Sequence, residues 1–202
     1  MSRLSKADLA VLAFTLAYSA IFAAVIWWRG NTEFLVYAAT MAVLILIVGL
    51  TRFRAAYPTS MLWALSVWGL LHMAGGNLQV GGDALYNLTL WHLTGEGEWT
   101  ILKYDQAVHA WGFGVTAWLL WHLLVTAHPG TRGSRIATVY PVIGAMGLGA
   151  LNEMIEFTAV ALTPHTNVGG YVNNALDLVF NALGAVIAIL LIRMFSRPVS
   201  AG

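Results

Sequence analysis

A chain of 202 residues that is 59% hydrophobic and only 9% charged, with a mean hydropathy of +0.73, carries too little polar surface for a water-soluble globule. The same composition excludes a disordered or nucleic-acid-binding tail, and the formal net charge of +1 carries no information about partners. The absence of cysteine excludes disulfides, thiolate metal sites and iron–sulfur clusters. An integral membrane protein remains, in which His, Asp, Glu, Asn and the main chain must do any chemistry.

A membrane span needs about 20 mostly apolar residues. Six windows approach or meet that length, at 9–28, 34–50, 60–75, 106–127, 136–162 and 172–195. The first follows a short basic segment resembling a signal peptide, but its length favours an uncleaved anchor. The third is the shortest, with Pro58, Thr59 and Ser60 as its start signal and Gly75 and Gly76 as its stop. With six spans, one side holds Arg3, Lys6, Arg52, Arg54, Arg132, Arg135, Arg193 and Arg197, and the other only Arg29 and Lys103. The positive-inside rule then places both termini in the cytoplasm.

The expected fold class is all-α, a polytopic helix bundle with six transmembrane helices, forming one domain over residues 1–202. The outer connection from Gly76 to Tyr104 is long for a plain loop. Its stretch 84–93, with Tyr86, Trp91 and Trp99 nearby, is expected to form a short interfacial helix, acting as an aromatic anchor or a lid. Glu33, Asp83, Glu96 and Glu98 are expected in outer loops.

The remaining acids carry the functional argument. Alternating topology puts His72 at the outer end of span three, Asp105 and His109 at the outer start of span four, Glu153 and Glu156 in the outer half of span five, and Asn173, Asn174, Asp177 and Asn181 at the outer start of span six. Spacings of three and four residues give each helix one polar face. Gly112, Gly114, Gly144, Gly147, Gly149 and Gly184 offer small surfaces for close helix approach. Four carboxylates face at most two imidazoles, with no Arg or Lys inside these spans at that depth. Unpaired charge in hydrocarbon is costly, so protons, a bound cation or a wet cavity must accompany the cluster.

Two imidazoles with carboxylates suit Zn, Mn, Fe or Mg. Asp105, His109, Glu153 and Asp177 are the candidate metal ligands, Glu156 and His72 the candidate catalytic groups, and Asn173, Asn174 and Asn181 the donors that orient the site. No haem or flavin is expected. A proton-handling network and a purely structural polar core use the same residue types, so three readings stand. His92 reads as interfacial, His122 as a helix-bridging residue and His128 as a helix C-terminal group, while His165 follows Pro164 outside, with swinging over the cluster as the lesser reading. Asn87-Leu88-Thr89 fits a glycosylation sequon.

Read in order, LHMAGG from Leu71, KYDQAVHAWGFG from Lys103, LNEMIEF from Leu151 and NNALDLVFNALGA from Asn173 resemble the YjdF-like bacterial inner-membrane family, whose function is undefined. The last three blocks are also similar to a VanZ-like pattern associated with glycopeptide antibiotic resistance. The resemblance covers roughly residues 71–190 and falls on His72, Gly75, Gly76, Asp105, His109, Glu153, Glu156, Asp177 and Gly184, with Asn181 from the VanZ-like form. Where YjdF-like proteins usually have a further acid four residues before the last Asp, this chain has Asn173. The VanZ-like basic residue is Gln106 here, its Gln is Glu156, and its Arg before the third block is missing. The resemblance implies a six-span bacterial inner-membrane protein with an envelope-related role.

Three functions fit these residues. The first is a metal-dependent hydrolase or transferase facing the periplasm and acting on a lipid or lipid-linked envelope substrate, with Glu156 as general base and His72 as ligand or general acid. The second is a proton-coupled transporter, against which stand the apolar inner halves of spans five and six and the lack of an inverted repeat. The third is a non-catalytic accessory protein that binds a partner or a lipid headgroup. The bilayer is the one partner the composition requires; nucleic acid is not expected.

Overall fold

The computed structural model describes residues 4–29, 33–162 and 170–195. Among them are six long helices, α1 (Lys6–Arg29), α2 (Glu33–Ala55), α3 (Thr59–Asn77), α4 (Tyr104–Ala127), α5 (Ile136–Leu162) and α6 (Tyr171–Phe195). Each falls on one of the six apolar windows. Three of them, α1, α4 and α6, together with Ala38–Ala55 of α2, are long and apolar enough to cross a membrane. Contacts gather the chain into two units. One takes Met1–His92 with Ile101–Asp105, the other Leu93–Thr100 with Gln106–Gly202.

In the first unit α1 lies along α3 over a core of Tyr18, Phe22, Ile26, Met73 and Ala74, with Met41 and Leu70 against it. Thr15 donates to the Val11 carbonyl at 2.8 Å, so the 2.6 Å bond between the Thr15 and Ser66 hydroxyls takes its proton from Ser66. Ser5 and Asp8 form a reciprocal cap at the start of α1, with Ser5 N–H on Asp8 Oδ2 at 3.2 Å and Asp8 N–H on Ser5 Oγ at 3.1 Å. The same Asp8 carboxylate takes the Arg52 guanidinium from the end of α2, with Nη2 at 3.0 and 3.2 Å from its two oxygens. Ala56, at a φ of 50°, closes α2, and Pro58 precedes the first residue of α3.

The sequence places the stop of α3 at Gly75 and Gly76, but the helix runs through both to Asn77. The Asn77 side chain donates back to the Met73 carbonyl at 2.9 Å, Leu78 N–H reaches Ala74 O at 2.9 Å, and Arg29 covers the Asn77 carbonyl at 2.7 Å. Those three bonds satisfy end groups that glycine alone leaves open.

Beyond α3 the expected short helix at 84–93 is replaced by extended chain. β1 (Gln79–Val80) pairs antiparallel with β2 (Asp83–Ala84) around Gly81 and Gly82, whose φ values of 64° and 90° suit the tight turn. A single 3-10 turn follows at Leu85–Asn87, and then β3 (Thr89–Thr94) neighbours β4 (Ile101–Lys103). The reason is local. Thr89, Trp91 and Thr94 favour the pleat, while Asp83 Oδ1 accepts from Ala84 N–H at 2.7 Å and from the Asn87 amide at 3.0 Å, bonds that compete with helix hydrogen bonding. His92, Leu90, Trp91 and Leu93 are all exposed on β3. Glu33, expected in a loop, opens α2.

In the second unit α5 packs along α6 over a core of Ala117, Ala145, Ala185 and Ile189. Small residues set the spacing. A Cβ at Gly184 would collide with the main chain of Ala110, and one at Gly114 would sit 3.1 Å from the Gly184 carbonyl. A Cβ at Gly149 would lie 2.8 Å from Asn181 Nδ2, and one at Gly144 would lie 2.8 Å from a Leu120 methyl. Gly147, expected to share that role, has open space around its Cβ position. Pro141 sits inside α5, and Ser134 caps that helix by accepting the Ala137 N–H at 3.2 Å.

Candidate functional site

The polar residues of the second unit lie on α4, α5 and α6, while Tyr104 and Asp105, which open α4, belong to the first unit. α4 opens with Tyr104 and Asp105, so its N-terminal dipole end carries an acid in the first turn. Asp105 is half-buried there, and His109 follows one turn later, buried and stacked on Phe113 with ring centroids 6.1 Å apart. α5 contributes Asn152, Glu153 and Glu156, and α6 contributes Asn173, Asn174, Asp177 and Asn181. Glu153, Glu156, Asp177, Asn181 and His109 are all buried.

Each buried acid is met by an asparagine amide. Asn152 donates to Glu156 Oε1 at 2.8 Å, Asn173 to Asp177 Oδ2 at 2.6 Å, Asn174 to Glu153 Oε2 at 3.3 Å and Asn181 to Glu153 Oε1 at 3.4 Å. The helical spacings anticipated in the sequence thus become real pairs for Asn152 with Glu156 and for Asn173 with Asp177.

Asn181 also fixes the histidine. Its Nδ2 faces Glu153, so its Oδ1 faces His109 Nδ1 at 3.0 Å, and Glu153 Oε1 lies 3.4 Å from the same nitrogen. Both neighbours are acceptors, so Nδ1 carries a proton. His109, Glu153 and Glu156 each offer one ligand atom, all within 4.8 Å of one another. His109 likewise brings a ring nitrogen within 4.8 Å of an Asp177 oxygen. The set of one imidazole and carboxylates is that of a hard-to-borderline divalent ion.

The three helices hold a single basic residue, Arg193. It lies in the last turn of α6 and donates to Thr138 Oγ1 at 3.1 Å in the first turn of α5. Glu153 and Asp177 are separated from it along those helices by roughly 15 and 16 residues, which at a 1.5 Å rise is more than 20 Å. Amides and an imidazole from these same helices face the carboxylates.

His72 belongs to the first unit, near the end of α3. Its Nδ1 lies 2.9 Å from the Tyr86 hydroxyl, which also donates to the His72 carbonyl at 2.7 Å. Tyr104 donates to the neighbouring Leu71 carbonyl at 3.0 Å. Tyr86 as a partner of His72 went unread in the sequence. Its signal was Gly75 three residues after His72, since a Cβ on Gly75 would collide with the Tyr86 ring. His165, Pro164, Arg3 and Arg197 lie outside the described residues.

A family model described as a predicted membrane protein, DUF2238, matches residues 10–197, and the YjdF-like resemblance is this family. The match does not extend to the VanZ-like pattern. No curated protein and no solved structure matches the chain. Matched over nearly its whole length and built largely of apolar helices, the chain belongs to the DUF2238 family of predicted membrane proteins.

Proposed function

We propose that this chain is a six-span protein of the bacterial inner membrane, with both termini cytoplasmic, whose helices α4–α6 hold a divalent cation near the periplasmic surface. The single observation that supports this is the buried group of His109, Glu153 and Glu156, with ligand atoms within 4.8 Å of one another on helices whose one cation lies at their far end. In this reading the ion takes His109 through Nε2 and the carboxylates of Glu153 and Glu156. Glu156 is then a ligand, and Asp177, held by Asn173, is the proton acceptor. Asn174 and Asn181 orient the ligands.

An ion in such a place polarises a phosphoryl or carbonyl oxygen, which suits hydrolysis or group transfer on a lipid or lipid-linked envelope substrate entering from the bilayer. The zinc, manganese and iron ions fit one nitrogen among oxygens better than magnesium, which favours all-oxygen shells.

Elemental analysis of the protein purified in detergent tests the reading. One ion per wild-type chain, lost in His109→Ala and in Glu156→Gln, supports it. Absence of any ion, or equal retention in both variants, overturns it. Orientation is checked separately with a fluorescent-protein fusion at the C-terminus, expected to fluoresce in the cytoplasm, where a periplasmic alkaline phosphatase fusion stays inactive.

A further inference from the structure

His72 and Tyr86 allow a conclusion about protons that is independent of any metal at His109. A phenol hydroxyl has one hydrogen to donate. The Tyr86 hydroxyl lies 2.7 Å from the His72 carbonyl oxygen, which can only accept, so that bond uses the phenol hydrogen. The 2.9 Å contact between the same hydroxyl and His72 Nδ1 is then a hydrogen bond only if Nδ1 carries the proton and the phenol oxygen accepts it. The two bonds, made together, require a proton on Nδ1 and so exclude the neutral Nε2–H tautomer.

The surroundings hold that arrangement. The Tyr86 ring packs over Gly75, where a Cβ would overlap it, and lies 5.8 Å from the His72 ring at an interplanar angle of 62°. The 3-10 turn that carries Tyr86 is anchored at both ends, by Leu85 N–H on Leu78 O at 2.9 Å and by Leu88 N–H on Leu85 O at 3.0 Å. Tyr104 stands beside it, 6.4 Å from the Tyr86 ring, with its own hydroxyl on the adjacent Leu71 carbonyl.

We propose that Tyr86 is a positioning residue that fixes His72 with its proton on Nδ1, so that in the neutral ring Nε2 is the basic nitrogen. The neutral ring is then a base or acceptor at Nε2, whereas the sequence also admitted a general acid. Free imidazole side chains favour the opposite tautomer, so the state of His72 is a signature of the Tyr86 contact rather than of folding alone.

The test is nitrogen-15 magnetic resonance on the full chain in lipid nanodiscs, with labelled histidine, at a pH above the ordinary histidine range. His72 is assigned by the signal missing from His72→Gln. The expected result is the Nδ1–H pattern for wild-type His72 and a shift toward the Nε2–H pattern in Tyr86→Phe, with Gly75→Ala, which displaces the ring, shifting it the same way. An Nε2–H pattern in the wild type overturns the proposal by itself, whatever the variants do. A wild-type Nδ1–H pattern that survives in folded Tyr86→Phe, judged by its helical circular dichroism, overturns the role of Tyr86.

Discussion

Asp8 in the first unit and Glu153 in the second are both carboxylates buried within an apolar chain, at 6% and 5% exposure, yet their neighbours differ in kind. Asp8 receives a guanidinium with Nη2 at 3.0 and 3.2 Å from its two oxygens, and a main-chain N–H at 3.2 Å. Glu153 receives amides at 3.3 and 3.4 Å and an imidazole nitrogen at 3.4 Å. The first arrangement neutralises charge with charge and ties the start of α1 to the end of α2. The second offers dipoles at longer range, beside two further buried acids. Cancelling a charge at a helix junction builds a fold; leaving one solvated by amides builds a place for a proton or a cation. The interiors differ in the same sense. The first unit meets Gly69 with the flexible ends of Tyr18 and Met41, whereas the second meets Gly184 with main chain.

That last contrast yields the largest expected effect. Gly184→Ala must move the Ala110 backbone and is expected to cost about 3 kcal/mol or more, while Gly69→Ala displaces only side-chain tips and costs under about 1 kcal/mol. Thermal unfolding followed by tryptophan fluorescence in detergent separates them; equal losses would erase the distinction between the two interiors.

The next pair changes acid to amide in both units. Asp8→Asn removes the charge that Arg52 pairs with and is expected to destabilise by about 2 kcal/mol. Glu156→Gln keeps an acceptor for Asn152 and removes a buried charge, so the ion-free protein is expected to hold or gain about 1 kcal/mol. Opposite signs in the same unfolding assay sharpen the comparison. A loss in both would mean that Glu156 is neutralised as firmly as Asp8.

Asn181→Leu leaves every proposed ligand in place but removes the nearer of the two acceptors on His109 Nδ1. Affinity for the ion should weaken roughly 10- to 100-fold, as measured by competition with a metal-binding dye, and unchanged affinity would deny Asn181 its orienting part. The smallest effect is expected for Ser66→Ala. Thr15 keeps its bond to the Val11 carbonyl and loses only a donor, so about 1 kcal/mol or less should be lost in thermal unfolding.

Much of this was legible in residue order. The six helices follow from apolar runs punctuated by Pro58, Pro129 and charged termini, because a helix satisfies its own backbone within the segment and needs no distant partner. The pairs Asn152–Glu156 and Asn173–Asp177 were legible for the same reason, since a spacing of four puts both members on one helix face. The stretch 84–93 misled because its aromatic and apolar content suits either a surface helix or a strand. What decided it was the pairing of β1 with β2 and the Asp83 carboxylate holding Asn87, neither of which periodicity reports. The stop at Gly75 and Gly76 misled because Gly75 makes room for the Tyr86 ring and the helix ends at Asn77, whose side chain bonds back to Met73 O.

By itself, then, the amino-acid order determined the apolar character, the helix windows and the faces on which polar residues gather, all properties set within one turn or one span. Tertiary structure decided that Nδ1 of both His109 and His72 carries a proton, because a tautomer depends on what stands opposite the ring: Asn181 from another helix in one case, Tyr86 from a later turn in the other. It also decided that Glu153 is met by amides and imidazole while Asp8 is met by Arg52, since the partner of a buried charge is chosen by packing at a distance of a few ångströms and not by position along the chain.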